Sequence, residues 1–577
     1  PLSSSRAAKS FMYLKCAEIS SGVHSSLFGR RAEIDRLRKI AAGAATGAGH
    51  SLRIDGTAGI GKSALLAVAL RDAVPQPCHL GWAAGDELSG RTPLGLLLEC
   101  VDTALAGTPL RHLAAQLVTV AGDAVHSCPD QAVALAADLI VQAARETPLI
   151  LVADDLHCAD PLTRRVWDML GEQAGAAPLV LIGAVRTGCV PAHGPAAGEV
   201  MTLAPLSTAD ATALVRAVVT EPPGALALAR MLDEAGGNPY YLRQLAAGET
   251  VTGGLPAAVG AHLSPFGEKT MEAVRAAAFL SAYELAAPGP QPVGCTRSAL
   301  AAATGRTPAE LSVDLAPVLA TGLLTADGDR VAFPFRVVAR TLHEGTPAAL
   351  RVPVHRSLGL RLAAAGAPAE DVMAQFLAGR VPVDNTIGGW LVTQVPGLAG
   401  RAPMITLSVL HRAHAEDGLD PAVRVPLTAW LARLLLRHDR NPAVPAAWVA
   451  ARTADPALHG EMLWISAHGH ERRGEPESAA AIARGALRSG RIAPEWSGRL
   501  RELLARIRPL LPGDPTEPHL PRLLTEPQLP SLLTEPQLPS DALAEPHFSG
   551  RLTEPHFSGR LTEPHLSGRL TDVPDVW

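Results

Sequence analysis

The chain has 577 residues, 47% of them apolar and 19% charged, which is material for several cores, since single domains rarely exceed about 250 residues. Its net charge of −5, from 51 basic and 56 acidic side chains, excludes a whole-chain positive field for holding nucleic acid or an anionic membrane. Aromatics are scarce at 4%, so cores of Leu, Val and Ala, and with them closely packed helices, are expected.

The seven cysteines include no Cys-x-x-Cys pair, which fits reduced thiols better than a disulfide framework or a zinc module. No apolar run approaches the ~20 residues of a membrane span. The opening at Pro1 has no charged-then-apolar-then-small pattern of a signal peptide. A cytoplasmic chain without a membrane partner is the expectation.

Residues 1–25 are polar and irregular, and regular structure is predicted to begin near Leu27, with Ile34, Leu37 and Ile40 on one helical face. Over 26–205, short aliphatic runs at Leu52 to Asp55, His79 to Ala84, Leu149 to Ala153 and Leu179 to Val185 alternate with helical patterns. That alternation predicts an α/β core, a parallel sheet with helices on both faces. Residues 206–255 read as a helical lid that Ser207 caps, with Asp210 in the positive first turn. Residues 256–345 read as a winged helix: helices, a capping box at Thr307 to Glu310, then a hairpin around Asp327-Gly328. Residues 346–510 read as stacked helical hairpins resembling tetratricopeptide repeats, without a strict 34-residue period.

Beyond 510 the sequence changes character. Glu-Pro dipeptides begin at Glu517, Glu526, Glu535, Glu545, Glu554 and Glu563, a nonapeptide repeat. Proline in every unit forbids a long helix, and too few apolar groups are present to offset ordering entropy. A disordered tail over 511–577 is therefore expected.

The chemistry concentrates at Gly56-Thr57-Ala58-Gly59-Ile60-Gly61-Lys62-Ser63, followed by Ala64. Every fixed position of the phosphate-loop pattern is filled, between a predicted strand and a predicted helix. Glycines let the backbone N–H groups converge on anionic oxygens, and the following helix points its positive end at them. Lys62, one of only five lysines, is expected to reach the terminal phosphates of ATP, and Ser63 to bind Mg²⁺. The run Leu149 to Asp155 delivers two carboxylates at a strand's C-terminal edge, where open α/β sheets place ligands. Asp154 is assigned to Mg²⁺ and Asp155 to polarising an attacking water, as the catalytic partner of Lys62. Arg186 ends another predicted strand; two readings stand, a γ-phosphate sensor and an exposed strand-end cation. Arg164 and Arg165 read as solvated surface in preference to an arginine finger.

Leu27-Phe28-Gly29-Arg30-Arg31-Ala32-Glu33, the phosphate loop, Asp154 to Pro161 and Gly237-Asn238-Pro239 together resemble the STAND branch of AAA-type ATPases. More narrowly, they resemble the large ATP-binding LuxR-type regulators of actinobacteria. Val331 to Phe333 with Arg351 and His355, and Leu362 to Pro368, extend the likeness, which spans roughly residues 26–510. The resemblance implies that Phe28, Gly29 and Arg30 pack near the adenine and that Pro239 closes the nucleotide pocket from the lid.

Two departures stand out. Cys158 occupies a place where the family usually has Trp. The family's C-terminal helix-turn-helix has no counterpart: the segment from Asp514 holds ten acidic residues against four Arg, a net −6, the wrong sign for gripping phosphates. Direct DNA binding is disfavoured accordingly, and a protein partner or self-association through the helical repeats is expected. The histidines at 519, 547, 556 and 565 recur by repeat slippage more readily than as metal ligands. The leading expectation is an ATP/ADP-operated switch with slow hydrolysis. The alternatives are a helical scaffold, or truncated regulator, in which the ATPase unit is only structural, and a DNA-binding factor acting through the winged helix.

Overall fold

The structure is a computed structural model, and it describes residues 27–70, 74–86, 89–124, 129–187, 198–248 and 254–511. The N-terminal segment 1–25 and the repeat tail from 512 onward lie outside the described residues.

A five-stranded parallel sheet is built from β1 (His50–Gly56), β2 (His79–Ala84), β3 (Leu149–Asp154), β4 (Leu179–Arg186) and β5 (Glu199–Thr202), in the order β2-β3-β4-β1-β5. The central strands are aliphatic because both faces are covered. Leu149, Leu151 and Ala153 of β3 face the helices at Gly95–Leu105, Arg111–Ala124, Pro129–Glu146 and Pro161–Gln173. Ile150 and Val152 face the opposite layer, with Ile34, Leu37 and Ile40 of the helix Arg31–Ala45 and Leu65 and Leu66 of Lys62–Leu70. The expected P-loop-type α/β fold is what forms, and the four predicted strands are all present. β5, half-buried in alternation at the sheet edge, lacks a continuous aliphatic run and escapes a search for one.

Helices Thr208–Val218, Ala225–Ala235 and Pro239–Ala246 follow, the first capped by Ser207, whose hydroxyl accepts from the Asp210 amide at 3.2 Å. Next come Leu255–Leu263, Glu268–Leu280, Ala282–Ala286, β6 (Val293–Thr296), Arg297–Thr304, Pro308–Ala320, β7 (Thr325–Asp327), β8 (Arg330–Phe333) and Arg336–Glu344. The capping box at Thr307 is formed in both directions, and the hairpin turns at Gly328 and Asp329. A third strand, β6, pairs antiparallel with β8; its four residues gave no periodic signal.

From Ala348 to Ile507 the chain is helical throughout. Pro353, Pro396 and Pro426 lie inside the helices Ala348–Ala364, Asn385–Arg401 and Pro421–Arg437, where sequence reading takes proline as a break; burial of Leu358, Leu391 and Leu431 on the same helices outweighs the lost hydrogen bond. One apolar core runs unbroken from Ala211 of the first lid helix to Leu435, and smaller clusters organise the segment beyond. No described helix is long and apolar enough to cross a membrane.

A buried polar chain ties this long core together. His355 is fully buried and bonds through Nδ1 to Oε1 of Gln375 at 3.0 Å, while its Nε2 meets His343 Nε2 at 2.9 Å. Gln375 in turn donates to the Leu280 carbonyl at 3.1 Å, so four helices meet there. Because the Gln amide is donating, its oxygen accepts, which places the proton of His355 on Nδ1 and requires His343 to donate from Nε2. Burial holds the His343 pKa down at about 4, and His355 is lowered for the same reason. Unfolded histidine titrates near ~6.5, so the unfolded chain takes up protons that the native pair refuses. The stability this pair confers is complete above about pH 6.5 and is lost as pH falls toward 4. The urea midpoint is expected to be lower at pH 5 than at pH 7, and His343→Gln, which keeps a donor without the titration, is expected to narrow that difference, the other buried histidines accounting for the remainder.

Candidate functional site

β1 ends at Gly56, where an added Cβ would lie 2.6 Å from Ile60 Cγ2, so only glycine lets the chain fold back on itself there. The loop turns through Gly59 (φ +75°) and Gly61 (φ +102°) into the helix Lys62–Leu70. Lys62 is buried, its ammonium donating to the carbonyls of Gly56 at 2.9 Å and Thr57 at 3.2 Å. The Thr57 hydroxyl is buried without a hydrogen-bond partner. A Cβ on Gly61 would meet nothing within 4 Å, so there is room above the helix's N-terminal amides. Orphaned hydroxyl, open cradle and buried ammonium fit a polyanionic ligand.

Asp154 closes β3 and is buried. The Ser63 hydroxyl bonds to its carboxylate, so the two residues assigned to Mg²⁺ meet, an all-oxygen donor pair that suits a hard divalent cation. Burial raises the Asp154 pKa, with Asp155 acting in the same direction and Ser63 and Lys62 against it. Asp155 takes a left-handed conformation (φ +53°, ψ 41°), unusual for a non-glycine residue and characteristic of sites where geometry is imposed. Behind it, Asp160 caps the helix Pro161–Gln173, accepting from the amides of Leu162 and Thr163 at 3.0 and 3.1 Å.

β4 lies between β1 and β3, and its last residue, Arg186, is opposite Gly56. The strand order therefore sets this cation between the phosphate loop and the carboxylates. Its charge acts on two histidines that sequence reading does not single out for the site. Burial, opposed by Asp155 and helped by Arg186 and Lys62, pushes His157 down to about 4. Burial with Arg186 and Lys62 does the same to His262, on the helix Leu255–Leu263. Arg165 instead pairs with Asp130.

The helix Pro239–Ala246 and its cap touch the loop directly. Asn238 is fully buried; its Nδ2 donates to the Ala58 carbonyl at 2.9 Å, and its Oδ1 accepts from the Tyr240 amide at 3.0 Å. The Tyr240 amide also approaches the Gly59 carbonyl at 3.3 Å, and a Cβ on Gly59 would lie 2.7 Å from that of Tyr240. Pro239 occupies the first turn of the helix Asn238 caps, and its neighbours make these contacts. Tyr241 is buried with its hydroxyl 2.7 Å from His262 Nδ1. Burial raises the phenol pKa, so this hydrogen bond joins a neutral Tyr241 to the ring of His262. Gly322, after the helix Pro308–Ala320, reaches the loop too: a Cβ there would stand 2.8 Å from Thr57 Cγ2.

Phe28, Gly29 and Arg30 straddle the sheet and the lid. Phe28 packs against the lid's core, a Cβ on Gly29 (φ +64°) would lie 2.6 Å from Asp210 Oδ2, and the buried Arg30 guanidinium holds Glu33 and the Ala204 carbonyl. Cys158 packs by Gly85 and, like Cys78, Cys100 and Cys295, is in no disulfide. Among the described residues there is no cluster of three or more metal-ligating His, Cys, Asp or Glu side chains.

Residues 26–182 match the family model of the AAA ATPase domain. The sheet and its loop thus carry an AAA ATPase domain, followed by a helical region. Several solved structures are similar. A Signal Transduction ATPase with Numerous Domains (STAND) protein with a tetratricopeptide repeat sensor, from Pyrococcus horikoshii, is 15% identical, with a TM-score of 0.28 over 85% of this chain and 78% of that one. The Walker-type ATPase of Pyrococcus abyssi is 15% identical, with a TM-score of 0.37 over 55% and 96%. A RuvB variant from Thermotoga maritima is 14% identical, with a TM-score of 0.26 over 53% and 93%. No curated protein matches the sequence.

Asn238→Ala removes a helix cap and leaves the Ala58 carbonyl without its lid donor, which is expected to cost about 1–3 kcal/mol. The measurement is the urea midpoint together with the protease sensitivity of the connection at 203–207, which is expected to rise as the lid comes away from the loop.

Proposed function

We propose that the chain is an ATP-operated switch of the STAND type, a regulator of the LuxR-like class acting in the cytoplasm, in which 26–205 is the ATPase core, 206–255 the lid, 256–345 the winged helix and 346–510 a repeat region for a protein partner. The observation that carries this reading is the Asn238 bridge: the lid is held through the same loop that would hold the phosphates. In this scheme the backbone amides of Thr57 to Ala64 cradle the β- and γ-phosphates, and Lys62 exchanges the carbonyls of Gly56 and Thr57 for phosphate oxygens. Ser63 and Asp154 would hold Mg²⁺, which when bound screens the charge of those phosphates. Asp155 polarises the attacking water, and Arg186 stabilises charge developing on the γ-phosphate. The fit of Phe28, Gly29 and Arg30 between sheet and lid suits residues that bear on the adenine end of the nucleotide, and Pro239 fixes the start of the lid helix that faces the loop.

Magnitudes support several contacts acting together. Turning a two-state equilibrium from 1:99 to 99:1 needs about 5.5 kcal/mol of differential binding. One neutral hydrogen bond contributes roughly 1 kcal/mol. The Asn238 bridge supplies one such bond and the Tyr240 approach a second, roughly 2 kcal/mol together, so the larger part of the differential has to come from the nucleotide's own contacts with the two sides.

The test is nucleotide affinity. Lys62→Ala is expected to weaken ATP binding at least tenfold, Asp154→Asn to abolish its Mg²⁺ dependence, and Asp155→Asn to bind ATP normally while losing hydrolysis. Equal ATP affinity in the wild type and Lys62→Ala would leave the helical scaffold as the function.

A further inference from the structure

The last helical hairpin has a charge that nothing in the nucleotide switch uses. Over 476–511 seven arginines face three glutamates, a net +4. Arg484, Arg488, Arg491, Arg499, Arg501 and Arg508 are all exposed, and among the described residues none of these six forms an ion pair, whereas Arg506 pairs with Glu471 at 2.6 Å. Arg484 and Arg488 are four residues apart on the helix Pro476–Ser489, and Arg501 and Arg508 are seven apart along and just past Pro494–Ile507; each pair lies on one helical face. Beside them is an aromatic platform. Trp464 and Trp496 are half-buried, with ring centroids 5.8 Å apart, and the Arg499 guanidinium is 4.6 Å from the Trp496 ring. Tryptophan and arginine side by side, partly exposed, are the composition of a protein contact surface.

The segment that follows has the complementary chemistry. Over 514–571 eight acidic residues stand against four Arg, a net −4, and each of the six Glu-Pro units carries Leu or Phe three residues after the Glu: Leu520, Leu529, Leu538, Phe548, Phe557 and Leu566. A carboxylate and an apolar side chain thus recur together, one suited to a guanidinium and the other to an indole face. Only residues 512–516 separate the hairpin from Glu517, a connection of at most ~20 Å. At that tether length the effective concentration is of millimolar order, and six copies of one weak motif add avidity. We propose that the Glu-Pro repeats of 514–571 dock intramolecularly on the arginine- and tryptophan-bearing surface of the final hairpin, occupying the face that a protein partner of the repeat region would need.

A fluorescein-labelled peptide of residues 514–571, which lacks tryptophan, is titrated with three full-length chains at 50 mM salt. These are the wild type, a variant with all six Glu of the Glu-Pro units changed to Gln, and that variant with Arg484→Glu, Arg488→Glu and Arg501→Glu added. The Gln variant, its own segment released, is expected to bind the peptide at least tenfold more tightly than the wild type, and to lose most of that affinity at 300 mM salt. The charge-reversed variant is expected not to bind, with far-ultraviolet circular dichroism confirming its fold. Equal binding by the wild type and the Gln variant overturns the proposal, as does equal binding by the Gln and charge-reversed variants. Light scattering decides between one chain and two: a wild-type dimer that the six Gln changes dissolve would place the contact between copies and overturn the intramolecular arrangement.

Discussion

One buried amide joins the loop 56–63 to the helix Pro239–Ala246. Asn238 has no exposure to water, so its donor and acceptor must both be paired within the protein or cost the full desolvation of an orphaned group, about 1–3 kcal/mol. It meets that requirement by joining the Ala58 carbonyl to the first turn of the lid helix. Leucine or alanine would leave the Ala58 carbonyl without this donor and the Tyr240 amide with only the Gly59 carbonyl at 3.3 Å. The place of the helix Pro239–Ala246 beside the loop is therefore fixed by chemistry as well as by shape.

Electrostatics around that joint are asymmetric. Lys62 and Arg186 contribute two cations, while His157 and His262 are held neutral largely by burial. Burial raises the pKa of Asp154, while Ser63 and Lys62 act against it. A site left to itself in this way has a shortage of mobile counter-charge: its cations are satisfied by backbone carbonyls, as at Lys62, and its acid by a hydroxyl, as at Asp154. An incoming polyanion accompanied by a divalent cation repairs both halves at once, because the anion takes over the ammonium and the cation stabilises the ionised carboxylate.

The sequence made the sheet and the chemistry of its loop legible because both are local. A buried parallel strand is an aliphatic run, and the phosphate loop is eight consecutive residues, so Gly56 to Ser63, Asp154 and the strand ending at Arg186 could be placed without any tertiary information. The short strands β5 and β6 were not legible, since strands of four residues at a sheet edge or between helices carry too little period to register. The lid's contact was legible only in part: Gly237-Asn238-Pro239 drew notice, but weight fell on the proline, although Asn before Pro is the combination of helix cap and first-turn residue. His262 had no local signal at all. Its position depends on a helix some 200 residues from the loop packing against Tyr241, a fact of the tertiary fold alone. The internal prolines err in the other direction, where local propensity was clear and tertiary burial overrode it.

How a change at the loop spreads follows from where the cores begin and end. Interiors packed to crystal-like density shift as bodies and do not deform smoothly. From Ala211 to Leu435 the protein has one such interior, and the polar chain His343–His355–Gln375–Leu280 pins four of its helices at a point where slippage would expose unpaired donors. The helix that Asn238 caps, the three-stranded sheet and the helices up to Pro421–Arg437 therefore share one packed interior. Past Leu435 the apolar contacts break into two small clusters, with Trp464 packed against both. The helix Pro421–Arg437 spans that boundary, giving Leu431 and Leu435 to the long core and Ala429 and Ala432 to the next cluster, and its Arg433 pairs with Glu461, so packing continues from one to the other. The indole of Trp464, packed against both of the smaller clusters, carries that continuity on to the final helices.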